Sequence, residues 1–582
     1  MAGLFVVHAS DPGFAAARIA GARVQFARHG FAEPVERAVG GWRLLHAPHI
    51  IGGPESVFER GDDLVAIAGT FSCDGTFGRP ALEALLGMDL PRLDWGRIGG
   101  QFVALVRRGG RTFLFTDYFA AFQLFRDADG RFFSTSFLAA AEALPRLHFH
   151  AQAVYEMAFN VVPVGDDTVF AELKTVGPGT MIELGDGGAA PHALSKPLPD
   201  APTILPIGDR IAAHRERLEA IVGAHVAAFG NDVCCPLSGG LDSRLLLASL
   251  RAAGSRPHVY VYGRKGSDDV EIALAIGAAD GFAVEWVDKS AQPQPDPDAF
   301  PERVERNFQD YDGLPVYGEI FESGANAAAR DARHPGGALS ASGGCGEIFR
   351  NFFYLPDSPA RAATIARTFF ARYDRRDLTN AFEEGDFLRA VEDKILAALG
   401  RDGDRGPLPR PLIEQIYPRI RCRSFFGREI SLEGRHGPYL MPFLDHQVVA
   451  GAMTLPMALK HAGRFEAMLL TAIDPVLARY PSAYGHHFAE APGLRHRVSE
   501  WTTRVRPAWL RQRSYALQRR LQRGWAGASG LMARAFLGRV IDLDYPAMRR
   551  FFRIEQVQDQ GMLMRIANLE YLAKRLGSRV VG

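Results

Sequence analysis

At 582 residues the chain is long enough for two to four domains, and 47% hydrophobic with 23% charged residues is the make-up of an ordinary globular protein. A net charge of +1 excludes a whole-chain field that would draw it to nucleic acid or to a membrane. Five cysteines without a CxxC pair argue against a zinc site and a disulfide framework and imply a reducing cytoplasm, and no run of about 18 apolar residues predicts a membrane span.

The chain opens Met1-Ala2-Gly3-Leu4 without the charged region and cleavage site of a signal peptide, and reads as a first strand. Short β-prone runs follow at Leu4–His8, Leu64–Ala68, Phe102–Val106, Thr112–Thr116 and Arg131–Thr135, punctuated by Gly and Asp. The stretch Leu184–Pro202, rich in Gly, Ala and Pro, reads as a linker. The texture then changes. Ile207–Phe229 carries helical periodicity, with Ile211, Leu218, Ile221, Val222 and Val226 on one face. Strands at Val233–Leu237, Val259–Tyr262 and Val284–Val287 alternate with helices at Ser243–Ala253 and Val270–Ala279, the pattern of a parallel sheet covered by helices. The remainder reads as mostly helical.

Between the first of these strands and its helix stands Pro236-Leu237-Ser238-Gly239-Gly240-Leu241-Asp242-Ser243-Arg244. Glycines let a backbone approach a phosphate, amides converge there, and the helix dipole favours negative charge. Ser238 and Ser243 add hydroxyl donors. Asp242 would repel a bare phosphate, so its presence calls for Mg²⁺ between the two. The Gly-Lys-Ser/Thr ending of a Walker loop is missing.

Ser-Gly-Gly-Leu-Asp-Ser resembles the pyrophosphate loop of the N-type ATP pyrophosphatases, in their asparagine-synthetase branch. The resemblance implies that Ser238, Gly239, Gly240, Leu241, Asp242 and Ser243 hold the phosphates that leave as pyrophosphate. It also implies that the second strand lines the adenine pocket through Val261, ahead of an acidic patch at Ser267, Asp268 and Glu271. Ser342-Gly343-Gly344-Cys345-Gly346-Glu347-Ile348-Phe349 is similar to the family's second motif, Ser-Gly-Glu-Gly-Ala-Asp-Glu-Leu-Phe. One acidic residue is missing and Gly346 stands where Asp is usual. Gly343 and Gly344 are thus expected at the nucleotide. Glu347 is the carboxylate left to act with Asp242 in catalysis, as a second Mg²⁺ ligand or as the group that orients the amine.

Pro442-Phe443-Leu444-Asp445 is similar to a third family segment, with Asp445 read as a helix N-cap. The family's following Arg-x-Lys-x-x-Phe, whose lysine stabilises the transition state, is sought at Tyr484-Gly485-His486-His487-Phe488, where no lysine matches. His486, His487, Lys460 or Arg464 are left to supply a cation.

The first 195 residues resemble the glutamine amidotransferase half of asparagine synthetase, through Thr116-Asp117, Phe133–Ser136 and Gly177-Pro178-Gly179-Thr180. Working enzymes begin Met-Cys-Gly-Ile; here Ala2 has no nucleophile, and Ala68-Gly69-Thr70 replaces the Asn-Gly-Glu that binds glutamine. The resemblance therefore implies an α/β protein of three parts. An inactive Ntn-hydrolase-like αββα sandwich spans 1–195. A parallel-sheet ATP pyrophosphatase domain of the adenine-nucleotide α-hydrolase type spans 205–490, and a helical, Arg-rich extension spans 491–582.

That extension carries Arg495, Arg497, Arg504, Arg506, Arg511, Arg513, Arg519, Arg520 and Arg523, with Trp501 and Trp509 between them. It is either a solvated helical face or a docking surface for an anionic partner. Three functional readings stay open. The first is an ATP- and Mg²⁺-dependent, AMP-forming ligase that adenylates a small-molecule or peptide carboxylate for attack by ammonia or an amine. The second is an intramolecular version, as in β-lactam synthetases and lasso-peptide macrolactam cyclases, which also lack the cysteine. The third is a degenerate nucleotide-binding scaffold. A homodimer is left open.

Overall fold

The computed structural model describes residues 3–291, 293–316, 319–507, 509–511, 513, 514, 517 and 530–581. The chain is an α/β protein built on three main sheets. The first two are six-stranded. One runs Leu173–Thr175, Phe125–Asp127, Phe132–Ser134, Gly3–His8, Trp42–Ala47, Val35–Val39 in spatial order; the other runs Gly188–Ala193, Thr180–Gly185, Arg111–Thr116, Ile98–Arg108, Asp63–Cys73, Val57–Arg60. Every pairing in both is antiparallel.

Alternation along the long strands explains the layering. In Asp63–Cys73, Leu64, Ala66 and Ala68 join the main core with the first sheet, whereas Val65, Ile67 and Phe71 face a second cluster under the helix Arg79–Leu86. The helices Pro12–Arg28 and Phe137–Glu142 cover the first sheet's outer face. The order helix, sheet, sheet, helix is that of an αββα sandwich.

The stretch read as a linker is corrected in its first half. Thr180–Gly185 and Gly188–Ala193 form a hairpin at the edge of the second sheet, with Gly185 opposite Gly188, so the turn is Asp186-Gly187. Small side chains hide a strand in composition, but an Asp-Gly pair between extended runs is a hairpin signal.

The third sheet is five-stranded and parallel, in the order Val284–Val287, His258–Tyr262, Val233–Pro236, Leu339–Ala341, Tyr439–Leu440. The helix Ile207–Phe229 stands where the periodicity places it, burying Leu218 and Val222 together with Arg210, His214 and His225. The helices Leu241–Ala252 and Asp268–Asp280 follow the first two strands, and Gly427–His436 packs across the opposite face. All five cysteines are buried and unbridged. No helix of the described residues is long and apolar enough to cross a membrane.

The helix Leu494–Val505 buries none of its residues, and Trp501 and Trp509 are exposed. Arg511 is not a free surface cation: it donates to the carbonyl oxygens of Phe353, at 3.0 Å, and of Tyr354. Arg519, Arg520 and Arg523 lie outside the described residues.

Candidate functional site

The loop Leu237–Gly240 leaves the central strand of the parallel sheet and enters the helix Leu241–Ala252, the strand-turn-helix arrangement read from the sequence. Its amides are engaged by the protein's own oxygens. Ser238 N–H donates to Ser243 Oγ at 3.0 Å, Gly240 N–H to Ser238 Oγ at 3.1 Å, and Gly239 N–H to Asp269 Oδ1 at 2.8 Å. Of the acidic patch after the second strand it is therefore Asp269, not Asp268 or Glu271, that reaches the loop. Gly239 is held close from above: a β-carbon there would lie 2.9 Å from Ala483 Cβ, and Ala483 N–H donates to its carbonyl at 3.1 Å.

The second motif sits against the same helix start. A β-carbon on Gly343 would be 3.0 Å from Ser243 N, and one on Gly344 2.9 Å from Met441 Cε, so both glycines answer to close packing. Gly346 is the most confined, because its β-carbon would meet Asp242 Oδ1 at 2.3 Å. The Asp242 carboxylate fills the space of the missing side chain. There it forms an ion pair with Arg350 Nη2, and Arg350 Nε lies 3.2 Å from Glu466 Oε2. Glu466 is fully buried, and burial together with the neighbouring Asp242 pushes its pKa well above the usual carboxylate range. Burial works against the charge on Arg350, but Asp242, Glu466 and Glu347 outweigh it and hold its pKa well above the ordinary value. Arg350 Nη1 also donates to the Tyr484 hydroxyl at 3.3 Å.

Sequence reasoning missed Arg350 and Glu466. Neither carries a local signal: Glu466 lies in the first turn of the helix Arg464–Ile473, where a carboxylate is ordinary. The segment 484–488 does something else. Fully buried Arg244 donates to Tyr480 O at 2.9 Å and to Pro481 O and lies 5.0 Å over the Phe488 ring, tying that segment across the loop Leu237–Gly240. The cations considered earlier have other partners or positions. Lys460, buried, donates to Glu414 at 2.9 Å; His487 lies 3.3 Å from Glu490; the His486 ring stacks on Tyr484 and meets His496; Arg464 lines an outer cleft beside the helix Leu494–Val505.

The residues expected to share Mg²⁺ do not present a joint donor set. Asp242 is turned into the second motif onto Arg350, whereas Glu347 accepts a 2.5 Å hydrogen bond from the Tyr417 hydroxyl. Among the described residues no group of three or more His, Cys, Asp and Glu side chains could hold a metal ion. A guanidinium on the Asp242 carboxylate takes the place a hard cation would need, so the site as built does not fit the ion expected there.

Beside the loop lies a cavity of about 310 Å³. Pro236, at the root of the phosphate loop, and Ser342, which opens the second motif, both line it, with Tyr260 and Tyr262 from the second strand. The Val261 side chain points the other way, into the core, and its backbone pairs with Trp286. Arg333 lies 4.3 Å over the Tyr260 ring and Lys289 3.9 Å over the Tyr262 ring. Across from them Arg330 binds Glu433 at 2.9 Å, and burial together with Glu433 pushes the pKa of Glu429 up to about 8. Two buried atoms in this wall, Arg330 Nη1 and Glu429 Oε2, make no hydrogen bond, as expected of a cavity that takes a polar guest.

In the N-terminal sandwich, Thr70 Oγ1 accepts the Tyr439 N–H at 2.8 Å and joins the two halves of the chain. Buried Asp117 accepts from the amides of Phe119, Ala121 and Phe122 at 2.8–3.0 Å and shapes its own turn. Asp445 accepts from Gln447 N–H at 2.9 Å as a helix N-cap. Ala2 lies outside the described residues.

No protein-family profile matches the chain, and no curated protein matches it. Among solved structures it is similar to the glutamine phosphoribosylpyrophosphate amidotransferase from B. subtilis, complexed with ADP and GMP. That match has 10% identity over 50% of this chain and 91% of that one, with a TM-score of 0.23. It is also similar to an allosteric regulatory enzyme of purine biosynthesis, with 12% identity over 51% of this chain and 68% of that one, at a TM-score of 0.22. Likeness at that level carries no functional argument.

Proposed function

We propose that the chain is an ATP-dependent amide-forming ligase that activates a carboxylate as its adenylate and has no glutaminase activity. The observation that carries this reading is the turn Ser238–Ser243 at the C-terminal end of the central parallel strand, continuous through Pro236 and Ser342 with the tyrosine-walled cavity. In this reading the nucleoside takes the cavity and its phosphates lie toward the loop, where the helix start and the serine hydroxyls favour negative charge. A substrate carboxylate oxygen attacks the α-phosphorus, the bond to the β-phosphate breaks, and pyrophosphate leaves on the loop. An amine then attacks the acyl carbon and displaces AMP. Glu347, held by Tyr417, is the group on this chain suited to orient that amine.

Incubation with ATP and a pool of carboxylates and amines should yield AMP and pyrophosphate in equal amounts. Release of ADP and phosphate would reject the assignment. One observation favours a second reading, a nucleotide-binding scaffold: the loop amides are engaged by Ser238, Ser243 and Asp269, and Asp242 by Arg350. Saturable ATP binding with no pyrophosphate from any substrate pool would select it.

A further inference from the structure

We infer that Arg350, and not a divalent cation on Asp242, is the positive charge of the phosphate site: a bound polyphosphate takes the guanidinium over from Asp242, and the site accepts it without metal. The inference rests on the nucleotide reading above. Three features at one spot support it. With glycine at position 346, the Asp242 carboxylate folds into the second motif instead of toward the loop's open side. Glu466 stands behind Arg350, with Oε2 3.2 Å from its Nε. Arg350 is held only by side chains of this site: Nη2 meets Asp242, Nη1 meets Tyr484, and Nε faces Glu466.

A planar guanidinium is suited to two phosphate oxygens at once. Tyr484 belongs to the segment tied across the loop by Arg244, so Arg350 already touches the wall a phosphate would enter beneath. A divalent ion placed on Asp242 would face that same guanidinium and be repelled.

The two views predict opposite effects of one substitution. Full-length protein is titrated calorimetrically with inorganic pyrophosphate and with ATP, in EDTA and in excess Mg²⁺. The parent, Asp242→Asn, Arg350→Ala and Arg350→Lys are compared, with melting curves to show that each is folded. The expected result is pyrophosphate binding by the parent in EDTA. It should be about tenfold tighter in Asp242→Asn, which frees the arginine from its counter-ion, and lost in Arg350→Ala. Should the alanine variant fail to fold, Arg350→Lys serves, retaining charge but losing the fork, and is expected to bind about tenfold more weakly than the parent. Binding that needs Mg²⁺, disappears in Asp242→Asn and survives in the arginine variants would overturn the inference and leave the nucleotide reading standing. If no folded variant binds either ligand in either condition, the nucleotide reading fails, and this inference with it.

Discussion

Asp242 Oδ1 occupies the volume that a side chain at position 346 would claim, 2.3 Å from where a β-carbon on Gly346 would stand. The two positions are coupled sterically: a residue with a side chain at 346 must displace the carboxylate that Arg350 holds.

Gly346→Ala should therefore destabilise the protein by about 1–3 kcal/mol through overpacking, and Gly346→Asp by more, because it adds like charge beside Asp242. Thermal midpoints of the parent and the two variants provide the measurement. If all three melt together, Asp242 does not fill that space.

Glutamine hydrolysis should be absent and should stay absent after Ala2→Cys. A terminal thiol restores a nucleophile but no glutamine site, because Thr70 is hydrogen-bonded to Tyr439 and Gly69 is pressed against Gln101. Glutamate release from glutamine by the cysteine variant, above a protein-free blank, would show the site to be recoverable.

Glu429 should make stability depend on pH. Its folded pKa is raised from 4.5 to about 8, chiefly by burial. Its contribution is fully present below pH 4.5, where both states bind the proton, and declines as the pH rises through about 8, because the unfolded chain ionises first. At 1.36 kcal/mol per pKa unit the loss is on the order of 5 kcal/mol. Glu429→Gln should melt close to the parent at pH 4.5 and well above it at pH 9. Parallel pH profiles for the two proteins would contradict this.

Asp312 joins the two halves of the chain. Its carboxylate accepts from Ser136 Oγ and Phe137 N at 2.7 Å and from Leu138 N at 3.0 Å, with His29 at 3.2 Å and Arg428 at 3.5 Å. Burial alone would raise its pKa, but His29 and Arg428 hold it below the ordinary range. Asp312→Ala should cost about 3–5 kcal/mol, because the buried donors and cations lose their acceptor. Scanning calorimetry should show the sandwich and the parallel-sheet region melting apart. An unchanged single transition would mean that Asp312 does not couple them.

The elements that could be read directly from the chain were those whose signal is local. An apolar run, two glycines and a periodic helix placed Val233–Pro236, the phosphate loop and Leu241–Ala252 within a few residues. The edge strand Gly188–Ala193 was obscured because alanine, glycine and proline have weak β-preference, and hydrogen bonding to Thr180–Gly185 decides its shape. The ion pair of Asp242 with Arg350 spans 108 positions, and no spacing rule predicts it. It arises where two strand ends of the parallel sheet and the helix Arg464–Ile473 converge. Glu466 reads as a first-turn helix carboxylate in the sequence, and its partner is visible only in three dimensions.

The chain also closes on itself. Val580-Val581 pairs in parallel with Leu147-His148, and the preceding helix Gln560–Leu576 packs on Ala151–Asn160, with Arg565 donating to Ala158 O at 2.9 Å. Ala158 and Arg565 are 407 positions apart in sequence, so on the order of 20–80 s separates their synthesis at ordinary elongation rates. Throughout that interval the apolar side of Ala151–Asn160 lacks its final cover. Gln560–Leu576 and Val580-Val581 act as the fastener that ends the exposure.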